Sequence, residues 1–184
     1  MKRSGFKGLV YAGIMAASVA SSTSVVSASD IFLKLTGIKG ESVDAKHEGE
    51  IDVLSWSWGT STGTGKVKRG TIAPQCIQDI ELTKRLDSAT PSLIMMGLLG
   101  ETAKEATLTM RKAGKGQQEF LVLKMTDVLV TSYHTDSHLN GEELLTDTVV
   151  LSFSSIDVVY KPQREDGTLG PEVPFQIAGP CPEK

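Results

Sequence analysis

Residues 90–100, TPSLIMMGLLG, form the one convincing helical stretch in a chain that otherwise alternates like strands. Pro91 suits a first helical position, where no backbone donor is needed. Ser88 or Thr90 can cap the first turn, because a hydroxyl there accepts from N–H groups the helix leaves unpaired. Gly100 fits the C-terminal stop, and Leu93, Ile94, Met96 and Leu98 supply the apolar side. A strand-like run over 76–82, with Cys76, Ile80 and Leu82 alternating with polar residues, leads into the helix. A lone helix among strands has one way to bury its apolar side, which is to plug or cover a barrel or sandwich. The order of strands, one helix, then strands argues against a parallel α/β sheet.

Several strands show a change of apolar phase. In EIDVLSWSW (50–58), Ile51 and Val53 share one face while Leu54, Trp56 and Trp58 share the other, which predicts a bulge or a strand buried on both sides. The run 106–111 places Ala106, Leu108 and Met110 inward, and 113–116 makes a turn. FLVLKMTDVLV (120–130) is apolar on both faces, as a strand between layers would be. Asn140-Gly141 is a hairpin signal, since both residues tolerate positive φ. The longest strand is expected over 148–160, with a bulge between Phe153 and Ile156 bending it as barrel closure requires. The final 23 residues hold five of the seven prolines and read as an extended tail with one edge strand near 175–177.

Residues 1–28 have the make-up of a secretory leader: Lys2, Arg3 and Lys7, then small apolar residues, then Val26-Ser27-Ala28 as a cleavage site. Ser18-Val19-Ala20 is a second candidate cut. The apolar part is short of the ~20 residues a membrane span needs. The expected organisation is therefore a leader (1–28), one β domain (29–178) and a short proline-containing tail (179–184). Loss of the leader removes three basic residues and no acid, so the formal charge moves from −3 to −6. An acidic chain with small, dispersed basic clusters is a poor ligand for nucleic acid. Cys76 and Cys181 are an even pair in an exported chain and can form one disulfide; alternatively Cys76 is a small buried apolar residue.

Little in the chain points to catalysis. The stretch His134-Thr-Asp136-Ser-His138 would project three ligand-type side chains from one face of an extended strand. It lies beside a turn without an obvious fourth ligand, so a polar loop tip is the simpler reading. There is no G-x-S-x-G nucleophile turn, and neither cysteine has a histidine near it in sequence. The glycine-rich excursion 59–70, GTSTGTGKVKRG, lacks the Walker order of lysine and helix. No catalytic, cofactor or metal site is expected, and a long excursion of this kind is better suited to binding a partner.

Five segments taken together are specific. DIFLKLTGIKGESVDAKHEGEIDVLSWSWG (30–59), IELTKRLDSATPSL (80–93), EATLTMRKAG (105–114), LKMTDVLVTSY (123–133) and VVLSFSSIDVVYKPQREDG (149–167) closely resemble, in order, the Hcp family. These are the haemolysin-coregulated tube proteins of bacterial type VI secretion. The resemblance implies a mainly β fold, a single-domain barrel of two antiparallel sheets with one flanking helix. It implies hexameric rings stacked head to tail into a hollow tube, with sheath, spike and effector proteins as partners and no membrane or nucleic acid. Within it, Gly63, Gly65, Lys66, Lys68 and Arg69 fall in the family's extended loop, which reaches a neighbouring subunit. Lys84, Arg85 and Asp87, beside the helix, are candidate interface charges or a solvated helix start. Two departures stand out: the leader, which would send the chain to the periplasm or medium where family members start in the cytoplasm, and the proline-rich end with Cys181. The competing expectation is an exported monomeric β-barrel that binds a small ligand or a cell surface.

Overall fold

The computed structural model describes residues 29–62, 75–112, 116–139 and 143–178. Its elements run β1 (Ser29–Leu35), β2 (Ile51–Ser57), β3 (Thr60–Thr62), β4 (Gln75–Ile77), β5 (Ile80–Arg85), α1 (Thr90–Leu99) and β6 (Thr102–Lys112). They continue with β7 (Glu119–Leu139), β8 (Glu143–Ser152), β9 (Ser155–Tyr160) and β10 (Val173–Ala178). One sheet has the order β10-β9-β7-β6-β1-β2-β5-β8, and an additional β7–β8 pairing closes six of those strands into a barrel. All the pairings are antiparallel. Strands β9 and β10 extend the sheet beyond the closure, and β3 and β4 form a separate two-stranded ribbon. The fold class is the one expected, a mainly β barrel with a helix at its flank.

Closing six strands requires tilt and local bending, and bulges supply it. The phase change in β2 is such a place, with a register shift against β5 between Val53 and Ser55 that leaves Leu54 outside. In β7 the phase changes at Asp127, where φ is 51°, and a second shift lies between Val130 and Ser132. These kinks explain why 120–130 looks apolar on both faces. Leu123 and Met125 point inward before the kink, Val128 and Val130 after it, so the strand is not sandwiched between layers. β7 is also the long strand, at 21 residues, and it changes partner along its length from β9 to β8.

The expected long strand over 148–160 is instead two strands that break at Phe153 and Ser154. Ser154 N–H donates to Thr126 O at 2.9 Å, and the chain turns there onto the sheet extension. The run 76–82 is likewise divided between β4 and β5. The tail's edge strand is present as β10, antiparallel to β9.

Helix α1 packs over β7 and sends Leu93 and Met96 into the core with Ala89. A Cβ at Gly97 would sit 3.3 Å from Val130 Cγ1, so the missing side chain sets how near the helix lies to β7. Pro91 is in the first turn and Gly100 closes the helix with φ 65°, as read from the sequence. The N-terminus differs. The cap position is Ala89, without a side-chain cap bond, and neither Ser88 nor Thr90 fills that role. The Thr90 hydroxyl is engaged elsewhere.

Candidate assembly surface

The residues beside the helix form a buried charged node. Lys84, on β5, is 1% exposed, and Asp147, directly opposite on β8, is 0% exposed. Lys84 Nζ donates to Asp147 Oδ2 (3.0 Å), Asp87 Oδ1 (2.7 Å), Thr90 Oγ1 (3.1 Å) and Arg85 O (2.8 Å). Thr90 and Thr135 hydroxyls donate to the two oxygens of Asp147 at 2.6 and 2.9 Å. Asp87 Oδ1 also accepts from Ala89 N–H at 3.0 Å, so a carboxylate two residues upstream partly replaces the missing cap. Burial by itself would raise the Asp147 carboxyl, but hydrogen bonds led by Thr90 and including Lys84 and Thr135 hold it below its ordinary value. Tyr133 lies against this carboxylate with its hydroxyl buried and outside hydrogen-bond geometry; burial first, and Asp147 second, push its phenol well up.

Lys84 and Asp87, expected as interface charges or a solvated helix start, meet within their own subunit: Lys84 is buried, Asp87 is partly buried, and the two link β5, α1 and β8. Arg85, whose side chain alternates to the opposite face, is exposed. Gly63, Gly65, Lys66, Lys68 and Arg69 lie outside the described residues, as do Cys181 and the Cys76 side chain, so the disulfide expectation falls there too.

A second ionic cluster fastens the connection between β1 and β2. Arg111 Nη2 donates to Asp30 Oδ2 (2.9 Å) and Asp44 Oδ2 (2.7 Å), and the guanidinium lies 4.9 Å from the centre of the Phe32 ring. Arg111 lowers the Asp44 carboxyl to about 2, with the Lys46 backbone N–H assisting. The His47 ring stacks on Phe32 at 4.2 Å and approaches Glu50 at 2.9 Å through Nδ1. His134 and Asp136 sit within β7 instead of at a loop tip, paired with each other at 2.9 Å. Among the described residues no three candidate ligands converge to hold a metal.

Among the described residues, two of the exposed apolar tracts lie on α1 and on the sheet extension. On α1, Leu98 is 75% exposed beside Met95 and Leu99, and a groove of about 390 Å³ runs between Ile94, Leu98 and residues 130–135 of β7. On the sheet extension, Tyr160, Val173 and Phe175 are each about half exposed. Sequence reasoning missed both tracts, although the absence of charge over Thr90–Leu99 was a usable signal for the first. A closed barrel whose outer elements carry exposed apolar tracts has the make-up of an assembly subunit.

Comparison with known proteins sharpens that class. The family described as "Type VI secretion system effector, Hcp" matches residues 32–160. Protein hcp1 of Pseudomonas aeruginosa is 41% identical over 141 residues, 75% of this chain and 86% of that protein. The crystal structure of Hcp1 from Salmonella typhimurium superposes with a TM-score of 0.67 at 32% identity, covering 82% of this chain and 94% of that one. A structure described as a type six secretion system protein shares the fold with a TM-score of 0.76 at 24% identity, over 82% and 96% of the two chains. The chain belongs to the Hcp family, the tube proteins of type VI secretion.

Proposed function

We propose that the protein is a structural subunit whose hexameric rings stack into a hollow tube carrying effectors. The observation that carries this reading is the family match spanning 32–160, which covers the barrel, the helix and β9 in one register. Its work is assembly and not catalysis. A closed ring needs a contact in which one patch meets a different patch, and a tube adds a second contact along its axis. Arg85 and the excursion holding Gly63, Gly65, Lys66, Lys68 and Arg69 contribute to those contacts, and sheath, spike and effector proteins are the partners.

Residues 1–28 act as a cleaved leader in this proposal, and residues 179–184 form a tail outside the barrel domain. Native mass spectrometry with negative-stain imaging tests the assembly: hexamers and rings are expected. A clean monomer at high concentration would sink the reading and favour the ligand-binding barrel. Amino-terminal sequencing of protein recovered from the periplasm or medium should begin at Ser29, and an intact leader there would refute cleavage.

A further inference from the structure

His47 is a histidine held almost wholly out of solvent, 6% exposed, in the connection between β1 and β2. Its two ring nitrogens face carboxylates on different elements. Nδ1 lies 2.9 Å from Oε2 of Glu50, at the end of the same connection. Nε2 lies 3.6 Å from Oε1 of Glu119, the first residue of β7, and is buried without a hydrogen bond.

A neutral imidazole carries one N–H and one lone pair, whereas an imidazolium donates from both nitrogens. Neither neutral tautomer suits this site. With the proton on Nδ1, the Nε2 lone pair is turned on Glu119; with it on Nε2, the Nδ1 lone pair meets Glu50 at 2.9 Å. Only the cation offers both carboxylates a donor.

The surrounding charges favour the same form. The imidazole stacks on Phe32 of β1, and Arg111 of β6 lies 4.9 Å from the centre of that ring. Asp30 of β1 and Asp44 of the connection already accept from the guanidinium, which leaves Glu50 and Glu119 to His47. Lys46 and Glu48, its charged neighbours in sequence, are exposed. Burial of the ring opposes the charge, and the 40% exposure of the Glu119 side chain limits what that contact contributes.

We propose that His47 is a pH-dependent latch, which fastens the β1–β2 connection to the start of β7 while protonated and releases Glu119 when the proton leaves. Histidine ordinarily changes charge between about pH 5 and pH 8, where carboxylates and guanidinium groups keep theirs. The latch is closed at the acid end of that range and opens toward the alkaline end. Backbone follows the ring: Glu50 N–H donates to His47 O at 3.0 Å and Gly49 N–H to Ser42 O at 2.8 Å, so release loosens these amides first. The latch works within one chain and stands apart from the ring reading.

The test is amide exchange in the full chain at about pH 5.5 and pH 8, corrected for the intrinsic rate, in wild type, Glu119→Gln and His47→Gln. Wild-type protection at Gly49 and Glu50 falls about three- to fivefold toward the alkaline pH, the scale of one partly exposed ion pair, while β6 amides hold theirs. Glu119→Gln alters a partly exposed side chain, folds as the wild type does and removes most of the response; His47→Gln removes all of it. Nitrogen NMR of the wild-type imidazole shows His47 charged at about pH 5.5. Protection that ignores pH in the wild type, a response that survives either substitution, or a His47 neutral at the acid pH overturns the latch. Should His47→Gln not fold, Glu119→Gln and the imidazole titration decide.

Discussion

Lys84 shows how one side chain can serve the interior against its type. A lysine is rarely fully buried unless paired, and here the partner is Asp147, 63 residues away in sequence. Removing one member of such a pair strands the other without water or counter-charge. Lys84→Met should therefore cost about 3–5 kcal/mol, the usual penalty for breaking a buried ion pair, measured as a lowered midpoint in urea. Replacing both members with apolar residues of similar volume should recover much of that loss. Acid provides a second probe. Asp44 is held at about 2 against an ordinary 3.8, and Asp147 is also held low. A depressed carboxyl contributes stability above its unfolded value and loses it as pH falls through the folded one. Melting temperature should drop steeply between about pH 4 and pH 2, and Asp44→Asn should flatten that limb. Nothing local marks Lys84 as buried: its neighbours read like the start of a solvated helix, and its partner is visible only in three dimensions.

Elements were legible where a residue's reason for being there is local. Pro91 and Gly100 bound α1 because the ring and the positive φ act at their own positions. The bulge in β2 was readable because a change of apolar phase within one strand has few causes. The same signal at 153–156 had a different one, a strand break, since a phase change cannot distinguish a bulge from a corner. Capping was misread for a related reason. Thr90 has the right hydroxyl, but it donates to the buried Asp147 carboxylate and accepts from Lys84 Nζ and the Asp87 N–H, upstream of the helix. The connection between β1 and β2 offers a test at this scale. A Cβ at Gly40 would fall inside the radius of the Glu50 carbonyl and 2.6 Å from Ile51 Cα, both backbone atoms that cannot step aside. Gly40→Ala should destabilise by about 1–3 kcal/mol through overpacking. It should also speed amide exchange at Ser42 and Gly49, whose N–H groups bond to Glu50 O and Ser42 O, ahead of exchange in β6.

For the whole molecule, a subunit contact made on the exposed apolar tracts, as against one made on charges, predicts a particular response to salt. Charged contacts between exposed groups weaken as ionic strength rises, with a screening length near 10 Å at 0.1 M and 3 Å at 1 M. An apolar joint does not. Sedimentation velocity from about 0.1 to 1 M NaCl should leave the ring fraction unchanged or increased. Dissociation by salt would place the contact on charges such as Arg85 instead. The exposed apolar tracts were the least legible part of the chain. An exposed apolar residue has the same letter as a buried one, and only the closed barrel shows which face has run out of cover.

The Lys84–Asp147 pair also has a consequence for how the barrel finds its register. β5 and β8 meet only after α1, β6 and β7 have been placed between them in sequence, so this seam closes across a long loop and late. A slip of one residue at the seam would turn every side chain of β5 to the wrong face. A slip of two would keep the faces but set Lys84 opposite Leu145 or Val149, burying an ammonium against aliphatic carbon. Only the native alignment adds the Asp147 carboxylate to the local one of Asp87 and gives Asp147 its own cation. The pair works as a key cut for one lock, and it rejects misaligned barrels before they can be handed to a neighbour.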